Sequence, residues 1–193
     1  PNNPGYSSDV QMMVNVGGAL GDISWMDEND PPLVAFQCTK DPFAPYETDI
    51  LIVPTTGDLI VEVMGAGVNV PRANELGNND AFANNTWTDP YTTRANAING
   101  GAEGLFPFQR PSWDLNMDGT PETEESSPWE FWDVAFWSQS QATLDGPGGP
   151  CEGIPIAYCN WDLISRRNNP DMTVDKAMAY IDTIIGYYAP RAD

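Results

Sequence analysis

Pro32-Leu33-Val34-Ala35-Phe36-Gln37-Cys38-Thr39-Lys40-Asp41-Pro42-Phe43-Ala44-Pro45-Tyr46 is the stretch on which the fold reading turns. Leu33 to Phe36 is a continuous apolar run entered from Pro31-Pro32, short enough for a strand and too short for a buried helix. The polar Gln37-Cys38-Thr39-Lys40-Asp41 ends it, and the prolines beyond mark a loop. Upstream, Val10 to Gly17 reads as another buried strand running into a glycine turn. Downstream, Ile50 to Pro54 and Leu59 to Val63 flank a Thr-Thr-Gly-Asp turn, the pattern of a β-hairpin.

Further along, Pro71 to Leu76 reads as a short helix closed by Gly77. Residues 78–128 are rich in Asn, Asp, Gly and Thr and read as loops. Pro128 to Trp137 suggests a helix with proline at its start, and residues 144–156 a Gly/Pro loop. Thr173 is placed to cap a final helix. Its apolar positions Val174, Ala177, Met178, Ile181, Ile185 and Tyr188 recur at helical spacing and stop before Pro190. Strands followed by helices predict an α/β layer structure forming one unit over residues 1–193. The strand–helix units are too few for a complete doubly wound sheet, so the expectation is the C-terminal portion of one, with flanking helices and long loops.

Composition narrows the functions. The chain has 193 residues, with 28 acidic against 8 basic side chains, a formal charge of -20 and no histidine. Seven Trp, seven Tyr and seven Phe exclude a disordered acidic tail. Such a surface repels phosphate backbones and anionic lipid, so neither nucleic acid nor a membrane is an expected partner. Without histidine the chain supplies no Ser-His-Asp triad and no His-ligated zinc. Two lysines, three cysteines and abundant Asn, Trp and Pro point to an extracytoplasmic protein, with any export signal removed or lying upstream.

The segment from Pro32 to Tyr46 resembles the part of the α/β-hydrolase family where an apolar strand leads to His-Gly-x-x-Asp-x-x-Val-Pro-Tyr. By that resemblance Asp41 falls on the acid of the catalytic triad, Pro45-Tyr46 on the Pro-Tyr pair, and Gln37-Cys38 on the usual His-Gly. Asn15 to Asp22 looks like the strand and loop that precede it in esterase-like members. The ending, from Asn169 through Arg191, looks like the terminal helix of secreted esterase-like proteins of Bacteroidetes-type bacteria, which often precedes a cleaved sorting domain. Two departures imply loss of activity. None of the nine serines sits in a Gly-x-Ser-x-Gly elbow. The histidine expected after Asp41 is missing, and the best-matching stretch, Gly100 to Pro107, offers Glu103 or Gly104 in its place. A carboxylate near its ordinary pKa is a poor base toward a hydroxyl.

A separate motif carries metal chemistry. Asp114-Leu115-Asn116-Met117-Asp118-Gly119-Thr120-Pro121-Glu122-Thr123-Glu124-Glu125 matches D-x-[DN]-x-[DN]-G-x5-E at every position. Calcium takes six to eight oxygens. Asp114, Asn116 and Asp118 supply side-chain oxygens, Thr120 a carbonyl, Glu122 a direct or water-mediated contact, and Glu125 a bidentate carboxylate. Pro121 occupies the position that joins paired EF-hands, so the expectation is an isolated, dockerin-like loop holding structural Ca2+.

Cys151 and Cys159 are spaced for a local disulfide in an oxidising compartment, worth roughly 2–3 kcal/mol through loop closure. Cys38 is either a buried thiol behind the acid strand or the partner of a cysteine elsewhere. Trp129, Trp132 and Phe136 recur at helical spacing, as a core stripe or a sugar-stacking platform. The expectation is therefore an extracellular esterase/lipase-like chain that is inactive by itself and binds structural calcium. Two alternatives are a structural or adhesive surface or filament component, and an active serine esterase completed by an upstream fragment. The implied partner is such an N-terminal fragment of the same precursor, or further copies of the chain.

Overall fold

A computed structural model describes residues 4–7, 9–52, 56–109, 119, 125–131, 133–149, 151–153, 169 and 173–193. Its centre is a three-stranded parallel sheet of β1 (Met13–Val16), β2 (Leu33–Cys38) and β5 (Leu105–Phe108), in the order β1-β2-β5. Met13 pairs with Leu33 and Val16 with Phe36 on one side of β2, and Ala35 with Leu105 and Cys38 with Phe108 on the other. The strand β2 is covered on both faces, which is why Leu33 to Phe36 are apolar without alternation.

Period-two alternation sorts the strand residues into two cores. Val34, Phe36 and Cys38 join Phe106 and Phe108 against Phe82, Ala95 and Tyr187. Leu33 and Ala35 join Leu105 against Met26, Ala66, Val70 and Ala73. The first cluster lies under α3 (Pro90–Asn96) and α5 (Val174–Ala192), which also pack on each other. The second lies under α1 (Ala66–Glu75). The result is helix, sheet, helix, in agreement with the expected α/β layers.

The antiparallel pair β3 (Thr48–Ile52) and β4 (Leu59–Met64) forms the expected hairpin. It is tied to the rest by reciprocal backbone bonds between Leu20 and Met64. Helix α1 starts earlier than Pro71, at Ala66, with Pro71 inside it. It does end at the expected glycine. Gly77 has φ of 78°, and the amides of Gly77 and Asn78 bond back to Asn74 and Ala73 as in a Schellman stop.

Three sequence expectations change here. Residues 78–109 are not all loop, because α2 (Asp80–Ala83), α3 and β5 lie among them. The helix expected from Pro128 is α4 (Val134–Asp145), capped by Asp133, whose carboxylate accepts the amides of Ala135 and Phe136. Finally, α5 does not stop before Pro190 but continues to Ala192. Its start is as expected, with Thr173 Oγ1 accepting the Lys176 amide at 3.1 Å.

Candidate functional site at the carboxyl end of the central strand

In open α/β sheets, binding sites lie beyond the carboxyl ends of the strands. Asp41 occupies that position, one tight turn after β2, with its amide bonded to the Cys38 carbonyl at 3.3 Å. Its Oδ1 accepts the amides of Phe43 (2.8 Å) and Ala44 (3.0 Å), while Oδ2 takes no hydrogen bond from the described residues. Burial raises the Asp41 pKa above the ordinary aspartate value, against the lowering effect of the two amides. The carboxyl lines an open cleft of about 610 Å³ shared with Lys40, Tyr46, Glu47, Thr48 and Asp49.

The loop that shapes this cleft is held from beneath by Gln37. It is wholly buried. Its Nε2 donates to the carbonyls of Ala44 (2.7 Å) and Pro45 (3.0 Å), and its Oε1 accepts the Ala66 amide at the start of α1 (2.7 Å). One side chain thus satisfies both the loop and the N-terminus of a helix whose own N-cap residue, Gly65, has no side chain to do so. Gly65 and Gly67 let the loop approach that helix end. A Cβ on Gly67 would lie 2.6 Å from the Tyr46 ring, and one on Gly65 would fall on the Pro45 carbonyl. Gln37 and Cys38 stand where the resemblance puts His-Gly, and here they serve as a staple and a buried thiol within the aromatic core.

Glu103 is elsewhere. It precedes β5, and because β5 runs parallel to β2, it sits at the amino end of the sheet, about 15 Å or more from the turn of Asp41 at roughly 3.3 Å per residue. Its carboxylate binds Arg191, with Oε1 2.5 Å from Nη2 and 3.0 Å from Nε. The reading of Gly100 to Pro107 as the loop that carries the missing base is therefore corrected. Leu105 to Phe108 is itself a strand, and Gly104 packs against the Leu33 carbonyl.

Of the six expected calcium ligands, Glu125 is described, and Asp114, Asn116, Asp118, Thr120 and Glu122 lie outside the described residues. Gly119 has the positive φ of 88° that the motif asks of its sixth position. Glu125 is only 2% exposed. Its Oε1 is 2.5 Å from Lys176 Nζ, and its Oε2 accepts from the Tyr180 hydroxyl at 3.4 Å. Burial, then the charge of Glu125, raises the Tyr180 pKa strongly. A cation at Glu125 would have to compete with the Lys176 ammonium. The backbone amide of Glu125 donates to the Lys40 carbonyl at 3.2 Å, so this carboxylate and the Asp41 turn are neighbours. Sequence spacing gave no sign of that contact. Among the described residues, no cluster of three or more metal-ligating side chains occurs.

Cys151 is buried, and Cys159 lies outside the described residues. Trp129 packs on Phe108, with ring centres 6.5 Å apart, whereas Phe136 is 64% exposed on α4 and Trp132 lies outside the described residues. Trp129 and Phe136 therefore do not share a core stripe. No family model matches the chain, and no curated protein or solved structure is significantly similar to it. No helix among the described residues is long and apolar enough to cross a membrane.

Proposed function

We propose that this chain is the C-terminal portion of an extracellular α/β-hydrolase-like protein of the esterase/lipase type, catalytically inert by itself and stabilised by calcium. The observation that carries the reading is Asp41, a half-buried carboxyl at the carboxyl end of the middle strand of a parallel sheet, facing an open cleft. An acid there is placed to orient an imidazole. With no histidine and no serine elbow in the sequence, it orients nothing in this chain. A fluorophosphonate probe that labelled the purified chain at a serine would sink this reading. A companion fragment restoring such labelling would favour the completed-esterase alternative.

Calcium belongs to the same proposal. Asp114, Asn116, Asp118, Thr120 and Glu122 would hold the ion, and Glu125 would join them by exchanging Lys176 for it. Titration calorimetry in chelator-treated buffer is expected to show one site, and melting with EDTA a lower midpoint. A Cys151–Cys159 disulfide is part of the reading as well. Denatured, non-reduced protein should then give fewer than three titratable thiols, and three would overturn it.

One observation favours the structural or adhesive reading. The hairpin exposes Ile50, Ile52, Leu59, Ile60 and Val61, between 42% and 66% of each. Apolar patches of this kind mark interaction surfaces. Filaments or lattices that dissolve in chelator would decide for that reading.

A further inference from the structure

Both oxygens of one buried carboxylate are held by the terminal helix. Lys176 Nζ lies 2.5 Å from Oε1 of Glu125, and the Tyr180 hydroxyl donates to Oε2 at 3.4 Å. The two donors are four positions apart and so stand on one face of α5. Glu125 is 2% exposed and the Lys176 side chain 12%, which leaves little water to screen the pair. The backbone beneath is fixed separately, since the Glu125 amide donates to the Lys40 carbonyl. Only the side chain's partner is open to change.

The calcium motif asks something else of that side chain. Its twelfth position chelates the ion through both carboxylate oxygens at once. An ammonium kept on one of them would face a divalent cation across the same small group, in a site of low dielectric, and the two repel. Calcium and Lys176 therefore exclude each other at Glu125. A displaced ammonium still has a partner, because Lys176 Nζ also donates to Asn169 Oδ1 at 2.8 Å, and Asn169 Nδ2 is itself held by the Ser127 carbonyl.

We infer that Glu125 is a switch with two exclusive partners, Lys176 of the terminal helix or a calcium ion in the 114–125 loop, so that calcium frees the first turns of α5. The inference rests on the calcium reading above and adds its regulation. The far end of the helix stays out of it. Tyr187 is buried against Phe36 and Phe106, and Arg191 is paired with Glu103. At the near end, Tyr180 lies edge-on to Phe108, the last residue of β5, with ring centres 4.9 Å apart, and Phe108 packs on Trp129. Calcium thus loosens the cover over the carboxyl end of β5 while the amino end remains fastened. By reciprocity, a docked α5 weakens calcium binding.

Amide hydrogen exchange of the full chain, in calcium and in EDTA, tests this together with titration calorimetry. Calcium is expected to speed exchange at Ala177 to Tyr180 by about tenfold and to leave Tyr187 to Ala189 unchanged. Lys176→Met should bind calcium about tenfold more tightly than the parent and exchange faster at the same amides already in EDTA. Glu125→Gln keeps the shape of the side chain and should lose the calcium response of α5. Tyr180→Phe keeps the ring on Phe108 and should tighten calcium by less than Lys176→Met does. Calcium that binds while exchange along α5 slows or stays the same would overturn the switch and leave the calcium site standing. Equal affinity in the parent and Lys176→Met would do the same. Absence of calcium binding from both proteins would overturn the switch and the calcium reading together.

Discussion

At the scale of single residues, side chains with polar ends do most of the fastening. Arg191 is the clearest. Its side chain is fully buried, stacked between the rings of Trp87 (4.3 Å) and Tyr187 (3.6 Å) and bonded to Glu103, Thr92 and the Tyr187 carbonyl. Removing one partner of a buried pair leaves an uncompensated charge. Glu103→Gln is therefore expected to lower stability by about 3 kcal/mol, read from the denaturant midpoint. Lys176→Met exposes the same logic at Glu125. It should lower the melting midpoint in EDTA and regain most of the loss in calcium, as the ion replaces the ammonium; no regain would remove Glu125 from the ligand set. Asp41 carries a pH signature. Its folded pKa is raised, so the folded state holds its proton more tightly than the unfolded chain, and stability is lost as pH rises through the shifted value. Asp41→Asn keeps an oxygen for the amides of Phe43 and Ala44. It should melt higher than the parent at pH 7, with the gain vanishing below the ordinary aspartate pKa of 3.8, by calorimetry across pH.

Among the elements, legibility followed how much each depends on its own residues. The strand β2 was readable from its apolar run Leu33 to Phe36, and helix α5 from its threonine cap and 3.6 repeat. Of that repeat, however, Val174, Met178 and Ile185 are about half exposed, and Ala177, Thr183, Tyr187 and Arg191 are the buried ones. The strand β5 was hidden by its length and by Pro107. That proline is tolerated because the Thr39 and Ala35 amides bond to Phe108 and Gly104, which turns the Pro107 nitrogen away from β2. The asparagines of residues 78–99 read as loop formers, yet several are buried braces. Asn79 accepts the Leu33 amide at 2.7 Å and donates to the Leu33 and Glu103 carbonyls, and Asn74 and Asn99 hold the same end of β5. These partners of Asn74 and Asn79 lie 24 to 46 positions away, beyond any local pattern. Asn79→Ala should thus cost more than a surface change, about 2 kcal/mol, since it orphans buried backbone groups. The Asp41 turn was visible in the motif; its contact with Glu125 was not, because only folding brings residues 40 and 125 together. At the start of α3, Asp89 accepts the amides of Tyr91 and Thr92. Asp89→Ala should cost about 1 kcal/mol in the same assay.

For the whole molecule, charge and topology set the behaviour. A formal charge of -20 makes the compact state repel itself, so salt should raise the melting midpoint steadily up to the range where screening saturates. A midpoint indifferent to sodium chloride would mean the acids are already compensated. Topology bears on the order of events during folding. Tyr187 lies edge-on to Phe36 and Phe106, and its hydroxyl reaches the Leu105 carbonyl, 82 positions earlier; Arg191 reaches Glu103 across 88. The aromatic face of the sheet therefore waits for a helix synthesised long after it. On a ribosome, Phe36, Phe106 and Phe108 are made early and stay uncovered until α5 emerges. During that interval the nascent sheet is a sticky surface with an open edge, and closing it requires a chain loop of eighty residues or more to find its end. The terminal helix is thus the latch of the fold, and the stretch of synthesis before it arrives is when the chain most needs a chaperone.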